Sequence, residues 1–105
     1  MNFAKMLKQA QQMQAEMQRA QEEIADKEFE GSSGGGAVVV RANGEGQLLS
    51  VKISPEVIKD GDASMVEDLV MTAANAAIGA GRQFSQQRLG SVTSKLGGGI
   101  PGLGM

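Results

Sequence analysis

The sequence predicts an α+β fold in which one long helix is followed by a three-stranded antiparallel sheet and a second long helix, an α-β-β-β-α order. Three observations predict it. Residues 1–27 carry a narrow apolar seam of helical period; residues 27–53 switch to short alternating runs broken by glycine-rich turns; residues 62–88 return to a helical stripe.

The seam of the first helix, residues 2–26, is Phe3, Met6, Ala10, Met13, Met17, Ala20 and Ile24, in alternating steps of three and four. A 3.5-residue repeat one face wide needs a partner helix along its length, from the same chain or from a second copy. Lys5, Lys8 and Arg19 fall away from this seam and face water. Most other outward positions are glutamine (Gln9, Gln11, Gln12, Gln14, Gln18, Gln21), which favours helix, adds no charge that repels a polyanion and can donate hydrogen bonds to phosphate or base edges. A polar face with scattered lysines is, in most proteins, simply a solvated face. Glu22, Glu23 and Asp26 oppose the dipole at the C-terminal end, which places that end in the body of the protein.

Strands are expected at 27–32, 37–42 and 47–53. The run Gly31-Ser32-Ser33-Gly34-Gly35-Gly36 allows a turn; it lacks the Gly-Lys-Ser/Thr ending of a phosphate loop and precedes a strand. Asn43-Gly44-Glu45-Gly46 is the strongest turn signal in the chain. Pairing Ala42 with Gln47 across it sets Val40 opposite Leu49 and Val38 opposite Val51, an apolar face that a helix or a second subunit should cover. Pro55 opens one helical turn, and Asp60-Gly61-Asp62 reads as a break followed by a cap, with Asp62 or a Ser64/Glu67 capping box starting the second long helix, residues 62–88. Its stripe is Met65, Val66, Leu69, Val70, Ala73, Ala77, Ala80 and Phe84. Gly79 and Gly81 either bend this helix or let another backbone approach closely. Residues 1–89 read as one domain, and residues 90–105, with six glycines and a proline, as a flexible tail.

Composition narrows the function. With no Cys and no His in 105 residues, disulfides, zinc sites and thiol or imidazole catalysis are excluded. No carboxylate pair or Gly-x-Ser-x-Gly elbow stands out, so neither enzymatic activity nor a cofactor, metal or small-molecule substrate is expected. Three phenylalanines and no Trp or Tyr leave too few rings for base-stacking platforms. No signal peptide and no membrane span are expected, since the most apolar run, residues 69–81, is only 13 residues long. The net charge of −2 hides an asymmetry: residues 1–20 carry +2, residues 82–105 carry +3, and residues 21–81 carry −7. Phosphate contact is therefore possible from the terminal segments only. A small chain with long helices leaves apolar surface uncovered, so self-association is expected.

The Met/Gln-rich opening Met6-Leu7-Lys8-Gln9-Ala10-Gln11-Gln12-Met13-Gln14 combines with the Gly/Ser hairpin and Asn43-Gly44 before Val51-Lys52-Ile53-Ser54-Pro55-Glu56. Together with Glu67-Asp68-Leu69-Val70, Ala73-Ala74-Asn75-Ala76-Ala77 and the tail Ile100-Pro101-Gly102-Leu103, this resembles the YbaB/EbfC family of bacterial nucleoid-associated proteins over essentially the whole chain. The resemblance implies an intertwined, tweezer-like homodimer joined through its sheets. It further implies a cytoplasmic, nucleoid-associated protein that binds double-stranded DNA through its helical arms and affects nucleoid organisation and gene expression. On this chain the arms offer Lys5, Lys8, Arg19, Arg82 and Arg88 as DNA-binding residues. Gly79, Ala80 and Gly81 depart from the family, where this stretch is usually more charged and helix-favouring, and they weaken the expected contact of the second arm. The alternative is a protein-protein interaction module that uses the Met-rich seam.

Overall fold

The computed structural model describes residues 2–97, with side-chain environments through residue 94. Helix α1 (Phe3–Asp26) starts where Asn2 Oδ1 accepts the Lys5 N–H at 3.1 Å, and stops where Lys27 turns extended. Strands β1 (Glu28–Ser33), β2 (Val38–Asn43) and β3 (Leu48–Ile53) form one antiparallel sheet in the order β1-β2-β3, each within a residue of its expected bounds. A short helix α2 (Pro55–Lys59) and the long α3 (Ala63–Gly97) complete the α-β-β-β-α layout. Asp62 wins the competition to cap α3: its Oδ1 accepts the Met65 N–H at 3.2 Å.

The hairpin register differs from the expected one. Val38 pairs with Ile53, Val39 with Lys52, Val40 with Val51 and Arg41 with Ser50, two residues further along β3 than expected, and a bulge then pairs Ala42 with Leu48. The turn and the bulge each account for one residue of the shift. Asn43 Oδ1 accepts the N–H groups of both Glu45 and Gln47 at 3.0 Å, closing a wider loop whose αL position is Gly46 (φ 86°). Because the shift is two residues, Val38, Val40, Val51 and Ile53 still share a face.

Helix α3 covers only part of that face. Val38, Val40, Ala42, Ala73 and Ala77 form a fully buried core, with Ile53, Leu69, Val70, Ala74 and Ile78 around it. Leu49 and Val51 of β3 stay 46% and 44% exposed, because α3 lies over β1 and β2. Gly31 permits this placement, since a Cβ there would stand 2.2 Å from the Ala73 carbonyl oxygen.

The second long helix does not end at Arg88, as expected, but runs on to Gly97. Gly90, Ser91, Thr93 and Ser94 are poor helix formers, yet α3 runs beside α1 here and Val92 is fully buried, so packing overrides propensity. The expectation of a tail from residue 90 is corrected for residues 90–97, and the remainder, residues 98–105, lies outside the described residues. Helix α3 is also continuous through Gly79 and Gly81, and the two glycines do different things. A Cβ at Gly81 would meet the Asn43 carbonyl oxygen at 2.5 Å, whereas one at Gly79 would meet nothing within 4 Å. Gly79→Ala is therefore expected to stabilise the protein by about 1 kcal/mol. Gly81→Ala should cost about 2 kcal/mol, as read from urea midpoints at one protein concentration.

The outcome is an elongated chain of 71 × 27 × 16 Å. Its radius of gyration is 20.0 Å, against about 13 Å for a compact chain of this length.

Candidate nucleic-acid interface

The C-terminal half of α1 is anchored and its N-terminal half is free. Ala20 and Ile24 are buried, the Gly44 N–H donates to the Ile24 carbonyl at 2.8 Å, and Gly81 closes on Asn43 and Gly44 from the other side. Toward the N-terminus the seam is uncovered: Met13 is 38% exposed, Met6 52% and Phe3 73%. The sequence thus built a helix with a partner seam, and the chain supplies the partner, α3, for only part of its length.

The five expected cations fall into three groups. Lys5 and Lys8 are one turn apart on the free half of α1, both exposed, and neither makes an ion pair among the described residues. They sit at the helix end whose dipole favours anions. Arg82 is also exposed and unpaired among the described residues, but it follows Gly81 at the base of the arm. Nineteen residues separate Lys5 from Ile24, which is level with that base, so about 28 Å of helix lies between the two positions.

Arg19 and Arg88 form the third group, and both are engaged. Arg88 Nε donates to Glu23 Oε2 at 2.5 Å and its Nη2 to Glu23 Oε1 at 3.4 Å, while Glu16 Oε2 lies 4.0 Å from Nη2. Arg88 Nη1 donates to Ser91 Oγ at 3.1 Å. Arg19 pairs with the same Glu16. The Arg88 hydrogen bond holds the Glu23 carboxyl below its ordinary value, and Glu23 raises the Arg88 guanidinium in return. The pair is thus ionised throughout the neutral range. Glu16 was legible as a partner of Arg19 from its i,i+3 spacing, but nothing in the sequence pointed from Glu23 to Arg88, 65 residues away.

Two neighbouring surfaces suit phosphate poorly. The groove beside the arm's base is lined by Arg19, Glu22, Glu23, Asp26, Lys27 and Phe84, and the Lys27 ammonium is committed 4.6 Å above the Phe84 ring. On the outer sheet face Arg41 lies between Glu28 and Glu30. Among the described residues no helix is long and apolar enough to cross a membrane.

The sequence profile of the YbaB/EbfC DNA-binding family matches residues 1–96. A nucleoid-associated protein of Clostridium novyi is 41% identical over 105 residues, covering 100% of this chain and 89% of that protein. One of Chloroflexus aggregans is 42% identical over 103 residues, covering 98% and 99%. Among solved structures, that of an uncharacterized protein from Helicobacter pylori superposes with a TM-score of 0.70 at 26% identity, covering 92% of this chain and 99% of that one. With a whole-domain profile match, relatives near 40% identity and the shared α-β-β-β-α layout, this chain belongs to the YbaB/EbfC DNA-binding family.

Proposed function

We propose that the protein is a non-enzymatic, nucleoid-associated protein of the cytoplasm that binds double-stranded DNA as a homodimer and thereby affects nucleoid organisation and gene expression. The observation that carries the reading is the pair Lys5 and Lys8, exposed and free of ion pairs among the described residues, on a helix end that projects away from the acidic centre. The names of the relatives support it. Phosphates are met by Lys5, Lys8 and Arg82, and the glutamines between the lysines and the arm's base add neutral hydrogen bonds. Binding of this kind is dominated by counterion release. Anisotropy titrations of a labelled duplex should give an affinity that falls linearly in log–log form as salt rises from 50 to 200 mM. No binding at the lowest salt would reject the reading.

Two copies are needed to hide what one leaves open. The subunit exposes 7398 Å², about 1,800 Å² more than a folded monomer of its mass. Leu48, Leu49 and Val51 line the open part of the sheet, and Ile58, at 59% exposed, lies just beyond in α2. Sedimentation should therefore give twice the chain mass at micromolar concentration, and Val51→Glu should shift the protein toward the monomer.

A second reading has one observation in its favour. An open groove of about 630 Å³ runs beside Met13 and Met17, and Met-rich surfaces accept protein partners. A stoichiometric protein partner retained in nuclease-treated lysate, with no DNA affinity in the purified chain, would select this reading.

A further inference from the structure

We infer that Arg88 and Arg19 serve DNA binding as positioning residues and not as phosphate ligands: with Glu16 and Glu23 they form an ion-pair chain that clasps the last turns of α3 to α1 and sets where Lys5 and Lys8 stand relative to Arg82. The inference rests on the DNA-binding reading above, and its test separates the two.

Each nitrogen of the Arg88 guanidinium is already engaged. Nε and Nη2 face Glu23, Nη2 also faces Glu16, and Nη1 faces Ser91, with the side chain only 19% exposed. A phosphate oxygen would have to compete there with two nearby carboxylates of its own sign. Arg19 shares Glu16 with Arg88. The four groups alternate in sign and sum to zero, so beyond a Debye length they offer DNA no attraction.

Their place in the fold gives them another task. Glu16, Arg19 and Glu23 lie along one face of α1, between the tip cations Lys5 and Lys8 and the base at Ile24 and Gly81. Opposite them, α3 passes through Gly90, Ser91, Thr93 and Ser94, a stretch with little helical tendency of its own and Val92 as its buried contact. The clasp holds that stretch against α1. Because the free half of α1 continues the same rigid helix, the angle at which α3 grips its anchored half fixes the position of Lys5 and Lys8.

The test measures DNA affinity against salt, together with amide exchange of residues 89–94, in the unaltered protein and in Arg88→Gln, Lys5→Gln and the exchanged pair Glu23→Arg with Arg88→Glu. Solution mass and helix content serve as controls for folding. Arg88→Gln should weaken binding about fivefold with the salt slope unchanged and should accelerate exchange, and the exchanged pair should restore both. Lys5→Gln, which removes a phosphate ligand, should lower the slope by about 0.9 for each phosphate left without its cation and leave exchange alone. A slope for Arg88→Gln that falls as it does for Lys5→Gln, an exchanged pair that restores nothing, or an affinity that does not change would overturn the inference. If the unaltered protein fails to bind DNA, the DNA reading and the positioning role fall together. Faster exchange in Arg88→Gln then still supports the clasp, and unchanged exchange removes that too.

Discussion

Replacing Lys5 and Lys8 together with glutamate is expected to weaken binding to duplex DNA by about 100-fold or more at low salt. The two lysines are exposed and lie off the apolar seam of α1, so the change should leave folding and assembly untouched. In a dimer four phosphates are then no longer neutralised, which should flatten the salt slope by about 3.6 at 0.9 per phosphate. The control is Lys52→Glu with Lys59→Glu, the same change of charge placed on β3 and just at the end of α2. If net charge alone governed binding, the two double variants would behave alike. The arm geometry expects the control to lose far less, and anisotropy titrations of both at one ionic strength make the comparison.

Gly31→Val should abolish most of the native state. Gly31 is buried in β1 opposite Val40, and α3 crosses directly above it. A Cβ would stand 2.2 Å from the Ala73 carbonyl oxygen, 2.5 Å from the Ala77 nitrogen and 2.9 Å from the Ala76 Cβ. Two of these three atoms are helix backbone, so no rotamer change can make room and α3 must lift off the sheet. The core it seals is small, with Val38 and Val40 its largest fully buried side chains. The expected cost is about 4 kcal/mol or more, a large share of the 5–15 kcal/mol typical of a whole domain. Far-UV circular dichroism through a urea titration would show it as an absent or strongly shifted transition. A midpoint within experimental error of the unaltered protein would mean that α3 does not sit on β1 this closely.

Much of the fold was legible because local chemistry and tertiary packing agree. The alternating threes and fours of the α1 seam, the Asn43 turn and the Pro55 start each specify an element without help from distant residues. The hairpin register was not legible. An Asn whose side chain accepts two N–H groups widens the loop, and the bulge that follows cannot be read from an alternating pattern. Nor was the true end of α3, where Gly90 and Ser91 spell a tail and only the neighbouring α1 turns that stretch into helix. For the candidate site, the sequence named the cations but not their company. Lys5, Lys8 and Arg82 remain unpaired among the described residues, whereas Arg88 meets a carboxylate 65 residues away.

By itself, then, the sequence determined the order and kind of the elements, the absence of thiol and imidazole chemistry, and the concentration of positive charge in the two terminal segments. Only the tertiary structure decided which of those charges face outward unpaired, which glycine a helix needs for close approach, and which part of the sheet lies bare. The physical reason is range. Periodicity, capping and turn preference act within a few residues, while ion pairs, backbone approach and burial depend on which distant segments the fold brings into contact.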